Sequence, residues 1–493
     1  LKAFFYILAA ALVLIGLGLG LATRDNSGPQ SASPEALALC EDGTRDMNAY
    51  RLRDAVDKLE RSLLLDHSLA EASISRAMAF AKLGERENLQ IELARADSLT
   101  GIIGEENRRM LAELRLSEFE KSRFRAMRDS LLTQLERGSP RNINVLVAQA
   151  NDARNSKDEL AQEQAWLRIL EVDPNYADSY NMLGYMELNR GNYDQAIEYM
   201  KKYAFLAPDL ANPHDSLGEV LMVLGRYEEA EAEFRTAVTM QEDFYHSLIN
   251  LGKTYLARGQ LRRGLDILEK VRGQVAGSDL ELRVDHEIVK TYLSAGLDRE
   301  LERMTAQYID RYPKDVFSCL LRGVRLAQIG QAEQGKAVMD SSLASWRQSD
   351  AYRLYVKARQ GIDGAGYQFE ALAADAVGNP AVAAWNWQRA IEQMSDMAPH
   401  ELWFLHYRLA KAQLAQGDAA AALAGITPLL ATNPRLINVL VLKVKCHLAL
   451  DQEDQARATL EQLQWSISKS DEDFPARTEA AVLQARFAAQ SGS

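Results

Sequence analysis

The sequence predicts an all-α solenoid of repeated helix pairs, preceded by one N-terminal transmembrane helix. Three observations predict it. Gly184 and Gly191, Gly218 and Gly225, and Gly252 and Gly259 stand in pairs seven positions apart, each pair thirty-four positions after the last. A period of that length marks a stacked array of supersecondary units. Pro140, Pro174 and Pro208 keep the same interval. The chain is also sparse in proline, rich in Ala, Leu, Glu, Gln and Arg, and nearly without strand signals, as a helical protein would be.

The elements follow in order. Residues 3–22 read AFFYILAAALVLIGLGLGLA, twenty residues without a charge, enough to span a bilayer core as a helix. A cleaved signal peptide ending near Gly20 and Ala22 competes with a retained anchor, and the long apolar run favours the anchor. Lys2 lies before the span, and Arg24 beside Asp25 after it. By a small margin this expects the N-terminus in the cytoplasm and the repeats on the periplasmic side of a bacterial inner membrane. Gly16 and Gly20 are spaced to pack one membrane helix on another. Residues 23–39 have the composition of a flexible tether. An N-terminal array is expected over 40–275, strongest over 174–270, and a degenerate C-terminal array over 276–493.

Each strong unit holds two helices. DSYNMLGYMELNR and YDQAIEYMKKYAFLA both carry apolar residues three and four apart. Gly191, Gly225 and Gly259 fall between the two, where a tight turn needs a permissive backbone. Pro174 and Pro208 fall after the second helix, where proline stops it. Gly184, Gly218 and Gly252, with Ala196 and Ala230 on the facing helix, let the paired helices approach closely. The ladder continues more faintly through Gly84 and Ala150 upstream. Downstream it runs through Gly296, Gly323 with Gly330, Gly378 with Ala383 and Ala390, and Gly417 with Ala422 and Pro434. Asp451 with Ala456 closes it. This amounts to about ten or eleven helix pairs.

The pattern resembles the tetratricopeptide repeat, through its small residue at position eight, alanine at twenty and proline at thirty-two. The family's leading tryptophan is absent, and Tyr180, His214 and Leu248 stand in its place. The resemblance implies a right-handed superhelix whose first helices line a concave groove that binds other proteins. The groove residues so implied are Asn181, Tyr185, Leu188 and Asn189, then Asp215, Glu219 and Met222, then Asn250, Lys253 and Leu256. A second candidate is Phe404, Tyr407, Lys411 and Leu414, beside Trp403. Aromatic anchors suit interfaces because they bury much area and lose few rotamers. Family members that hold the C-terminal carboxylate of chaperones use a Lys-Asn clamp. Here Asp215 and Glu219 stand on part of that surface and would repel a carboxylate.

No chemistry is legible. A net charge of −12 lacks the basic face a nucleic-acid binder needs. Cys40, Cys319 and Cys446 have neither metal nor redox spacing. His400-Glu401 opens like a zinc-protease helix, but His406 is six positions on, on another face. No phosphate loop and no nucleophile elbow appears. Hence no catalytic residue, cofactor, metal or small-molecule substrate is assigned. The expected function is a non-catalytic, membrane-tethered scaffold for protein–protein interaction, its partners other proteins and, through residues 3–22, the lipid bilayer. The alternatives are a permanent accessory subunit of a large membrane complex (respiratory, photosynthetic or secretory) and a sensory or adaptor component of a signalling system.

Overall fold

The structure, a computed structural model, describes residues 33–48, 51–83, 86–98, 143–276, 364–395 and 397–491, and parts of 281–348. Two compact units divide the chain, residues 1–131 and 132–493. Among the described residues every regular element is helical.

In the first unit, α1 (Pro34–Asn48) packs on α2 (Leu52–Leu65), and α3 (Ala70–Leu83) on α4 (Arg86–Ser98). Met47, Leu59, Leu63, Ile74 and Leu89 fill its core. Of the stretch expected as a tether, residues 34–39 are helical. Pro34 occupies the first helical position, where a missing N–H costs nothing, and Glu35 suits the first turn.

The second unit carries the ladder. Its described helices are α5 (Ile143–Ser156), α6 (Glu159–Val172), α7 (Ala177–Arg190), α8 (Tyr193–Leu206), α9 (Ala211–Val223) and α10 (Tyr227–Met240). Then come α11 (Tyr245–Ala257), α12 (Leu261–Gln274), α13 (Ala332–Arg347), α14 (Gly364–Ala376) and α15 (Pro380–Gln393). After a 3-10 turn, Pro399–Glu401, follow α16 (Trp403–Ala415), α17 (Ala419–Thr432), α18 (Ile437–Ala449), α19 (Glu453–Ser466) and α20 (Pro475–Ser491). Consecutive helices pair as first and second helix of a unit: α7 with α8, α9 with α10, α11 with α12, α14 with α15, α16 with α17, α18 with α19.

The glycine ladder explains the pairing. A Cβ on Gly184 would stand 2.8 Å from Met200 Cε, on Gly218 2.6 Å from Phe234 Cε1, and on Gly252 2.9 Å from Leu268 Cγ. Any larger residue would push the helices of a pair apart. Ala196, Ala230, Ala383, Ala422 and Ala456, on the second helices of their own pairs, are fully buried. The described turn glycines have positive φ, between 71° at Gly378 and 88° at Gly417, and Asp451 takes the same role at 56°. Aspartate tolerates that region better than most L-residues.

Within this unit the later turns return to the earlier ones. Turns within the early repeats meet turns between the late repeats along a polar seam. The Tyr193 hydroxyl lies 3.3 Å from Thr432 Oγ1. Asn433 Nδ2 donates to the buried Tyr227 hydroxyl at 3.1 Å. Arg435 pairs with Glu228 at 2.5 Å, and its guanidinium lies 4.9 Å from the Tyr227 ring and 4.8 Å from the Trp465 ring. Further along, the Asp471 N–H donates to the Gly259 carbonyl at 3.0 Å. The Asp471 carboxylate in turn accepts from the Arg262 N–H at 2.9 Å. Thus α12, which has no acid in its own first turn, is capped by a residue 209 positions away.

Burial, the largest single influence, works against ionisation of Glu228, but the Arg435 hydrogen bond, a backbone hydrogen bond and the charges of Arg435 and Arg258 together outweigh it and hold the carboxyl below its usual range. Its contribution to the seam is therefore present above the unfolded glutamate pKa, about 4.3, and is lost as pH falls through the lower folded value. Acid titration monitored by hydrogen exchange at residues 225–229 should show this loosening below about pH 4. In Glu228→Gln the low-pH step should be gone; an unchanged step would place its origin elsewhere.

One expectation is corrected. Among the described residues no helix is long and apolar enough to cross a membrane. The repeat helices are too short. The longest, α20, has 17 residues, about 25 Å at 1.5 Å per residue, against a hydrocarbon core of about 30 Å. The placing of the repeats on the periplasmic side of an inner membrane falls with it. The expected span 3–22 with Gly16 and Gly20 lies outside the described residues, as do Gly84, Pro140, Gly296 and Cys319.

Candidate protein-binding face

The first helices of successive repeats touch one another: α7 with α9, α9 with α11, and α16 with α18. The side chains expected to line a groove lie on these helices, in two sets.

The first set, on α7, α9 and α11, is largely bound to itself. Leu188 and Leu256 are buried in the core. Asp215 is buried and accepts from Ser247 Oγ at 2.6 Å. Asn250, also buried, donates to Glu219 Oε1 at 3.0 Å. Tyr185 donates to Glu219 Oε2 at 2.7 Å and lies 3.2 Å from Ser216 Oγ. Burial, and then the Glu219 charge, push the Tyr185 phenol well above its usual range. The two acids that were expected to repel a carboxylate are thus held by neutral donors from neighbouring helices. Asn181, Met222 and Lys253 are half-buried, and Asn189 is exposed.

The chain itself also lies on this set. The 3-10 turn Pro399–Glu401 contacts α7. His400 comes near enough for the Glu219 charge to act on it, although burial dominates and lowers its pKa.

The second set lies on α16 and is built differently. Trp387 of α15 is fully buried, and its Nε1 donates to Asp375 Oδ2 of α14 at 3.1 Å. Its ring meets Phe404 edge-on at 6.2 Å, and Phe404 meets Trp403 edge-on at 5.9 Å. Both geometries are favoured by the ring quadrupoles. Arg408 pairs with Asp375 at 2.5 Å and lies over both the Trp387 and Phe404 rings. Phe404, Tyr407 and Leu414 are half-buried: part of each side chain packs into the core and part remains open. Lys411 is exposed, and no ion pair holds it among the described residues. It faces Asp375 of α14 and Arg408 of its own helix, and beyond them Lys445 of α18 and Glu479 of α20. It therefore stands in the middle of the first-helix face.

Sequence reading found the aromatic stretch but missed its supports, Asp375 and Arg408, which lie 33 residues apart. It also missed the seam, for which no local signal exists.

Among the described residues no group of three or more His, Cys, Asp or Glu could hold a metal. Cys40 and Cys446 are buried, and burial raises each thiol to about 11, so neither is a ready nucleophile.

Stacked helix pairs, a small residue at each crossing and a left-handed turn residue between partners define a helical repeat protein of the solenoid class. Tetratricopeptide repeat families match residues 165–198, 214–244 and 403–424. The chain is a tetratricopeptide repeat protein, as its resemblance implied. Over 92 residues it is 32% identical to Superkiller complex protein 3 of Mus musculus, a stretch covering 19% of this chain and 6% of that protein. The Homo sapiens Superkiller complex protein 3 is 29% identical over 87 residues, 18% of this chain. The chain thus spans 6% of the length of these curated relatives. Among solved structures, the APC/C hetero-tetramer Cut9-Hcn1 is similar with a TM-score of 0.43 and 13% identity, over 91% of this chain and 84% of that one. Yeast Tom70 is similar with a TM-score of 0.37 and 13% identity, over 92% and 89%.

Proposed function

We propose that this protein is a non-catalytic scaffold that binds a partner protein on the first-helix face of its C-terminal repeats, over residues 403–449. One contrast carries the reading. The first-helix face of α7, α9 and α11 is occupied by its own hydrogen bonds and by the chain's own 3-10 turn. The α16 face instead leaves an exposed lysine among half-buried Phe404, Tyr407 and Leu414. Such a site, apolar with one positioned charge, suits a protein segment.

Alanine at both Phe404 and Tyr407 is expected to weaken partner capture about tenfold or more. Asn189→Ala on α7 should leave capture unchanged. Thermal melts of each variant separate lost binding from lost folding. Undiminished capture by a folded double variant would remove this site.

A second reading, a permanent subunit of a larger assembly, is favoured by large apolar side chains left open on second helices. Phe205 is 75%, Trp385 55% and Trp465 63% exposed. Native sizing after gentle extraction tests it: a stoichiometric complex supports it, and a partner-free monomer contradicts it.

A further inference from the structure

We propose that the segment received on the α16 face is acidic: an extended stretch of a partner protein that sets an Asp or Glu side chain against Lys411, close to an apolar residue. This rests on the binding face argued above and names its ligand chemistry.

The charge distribution points there first. The whole chain carries −12. Yet residues 402–450 hold five cations, Arg408, Lys411, Arg435, Lys443 and Lys445, against the single acid Asp418. Asp418 is spent at the start of α17, where its carboxylate caps the Ala421 N–H at 3.0 Å. Neither α16 nor α18 contains an acid, and α17 contains no charge at all. A basic face on an acidic protein attracts anionic partners and turns away copies of its own acidic surface.

Among the described residues, local pairing leaves two of the five without an ion pair, Lys411 and Lys443, and of these only Lys411 lies on α16 beside Tyr407 and Leu414. Asp375 takes Arg408 at 2.5 Å, Glu479 takes Lys445, and Arg435 is engaged in the seam. Lys411 lies between the first two pairs without a carboxylate of its own. Although the Lys411 side chain is exposed along part of its length, packed neighbours partly desolvate its ammonium group, and that desolvation first, and then Arg408, lower its pKa. An incoming carboxylate would favour the charged ammonium and so offset both effects.

The neighbours fix the rest. Tyr407 and Leu414 stand one turn to either side of Lys411 on α16 and offer apolar surface next to the charge. Neighbouring helices lie about 8–10 Å apart, and an extended chain advances about 3.3 Å per residue. An acid over Lys411 therefore brings a residue about three positions away over the next first helix, α18. A side-chain carboxylate fits better than a chain terminus. The flanking cations are already held by side-chain carboxylates from α14 and α20, and one unpaired lysine supplies a point charge, not a fork.

The test is fluorescence anisotropy with the full chain. The probes are C-terminally amidated ten-residue peptides in which Asp and Glu alternate with Leu and Phe, beside the same peptides carrying Asn and Gln. The acidic peptide should bind about tenfold or more tightly than the neutral one, and added salt should weaken it. Lys411→Gln should remove about tenfold, and Lys411→Arg should keep most of the affinity. Equal binding of the neutral peptide would overturn the inference while leaving the scaffold reading intact. So would acidic binding indifferent to Lys411→Gln, binding by neither peptide, or binding confined to peptides with a free C-terminal carboxylate. Salt-sensitive self-association lost in Lys411→Gln would overturn it in favour of a second copy of this chain. The scaffold reading fails separately, on capture by the Phe404 and Tyr407 double variant.

Discussion

Alanine at Gly259 should destabilise the second unit by about 2–5 kcal/mol, whereas alanine at Gly417 should cost about 1–2 kcal/mol. The two glycines hold equivalent turns, with φ of 73° and 88°. The left-handed region alone costs an L-residue about 1–2 kcal/mol. Their surroundings differ. A Cβ on Gly417 meets nothing within 4 Å, but on Gly259 it would stand 2.7 Å from Ser470 Cβ and 2.8 Å from Phe474 Cδ1. Overpacking adds about 1–3 kcal/mol. Gly225 should behave like Gly259, since its Cβ would reach within 2.3 Å of Asn433 Oδ1. Repeat arrays can unfold in parts. The comparison is therefore best made by native-state hydrogen exchange in α10–α12 and α18–α20, beside urea melts. Equal losses at Gly259, Gly225 and Gly417 would mean that the early and late repeats do not meet.

Trp387→Ala should cost about 3–5 kcal/mol, the range for deleting a large buried aromatic side chain. The indole is fully buried, and its loss also removes one donor from Asp375. Arg408 still holds that carboxylate, so no unpaired charge is left inside. Trp387→Phe should restore most of the packing but not the hydrogen bond, with a loss nearer about 1–2 kcal/mol. A second consequence separates support from mere bulk. Trp387 backs the Phe404 ring, so Trp387→Ala should weaken partner capture even at temperatures where the array remains folded. Stability lost with capture unchanged would show that Phe404 needs no such support.

Much of the fold was legible because its determinants are local. Gly184 with Met200, Gly218 with Phe234 and Gly252 with Leu268 each lie within one period, so a fixed spacing reveals them. Asp451 could be read as a turn residue for the same reason. The seam could not be read. Tyr227 and Asn433 are 206 residues apart, and Arg262 and Asp471 are 209 apart. No periodicity connects them. The candidate site was legible in part. Family positions pointed to Tyr407 and Lys411, but the position of Tyr407 on α9 gave Asp215, which the structure buries. Position within a repeat says which way a side chain starts out. Whether it stays available depends on whether neighbouring helices supply it with partners, as Ser247 does for Asp215 and none of the described residues does for Lys411. The membrane expectation rested on composition at one end of the chain, and the amphipathic helices of 13–17 residues described here give it no support.

The most direct measurement is hydrogen–deuterium exchange of the full chain, free and saturated with a captured partner. Protection is expected to concentrate in residues 403–415 and 437–449, with α7 and α9 unchanged. Protection on α7 and α9 with none on α16 would contradict the assignment of the partner-binding face to the C-terminal repeats.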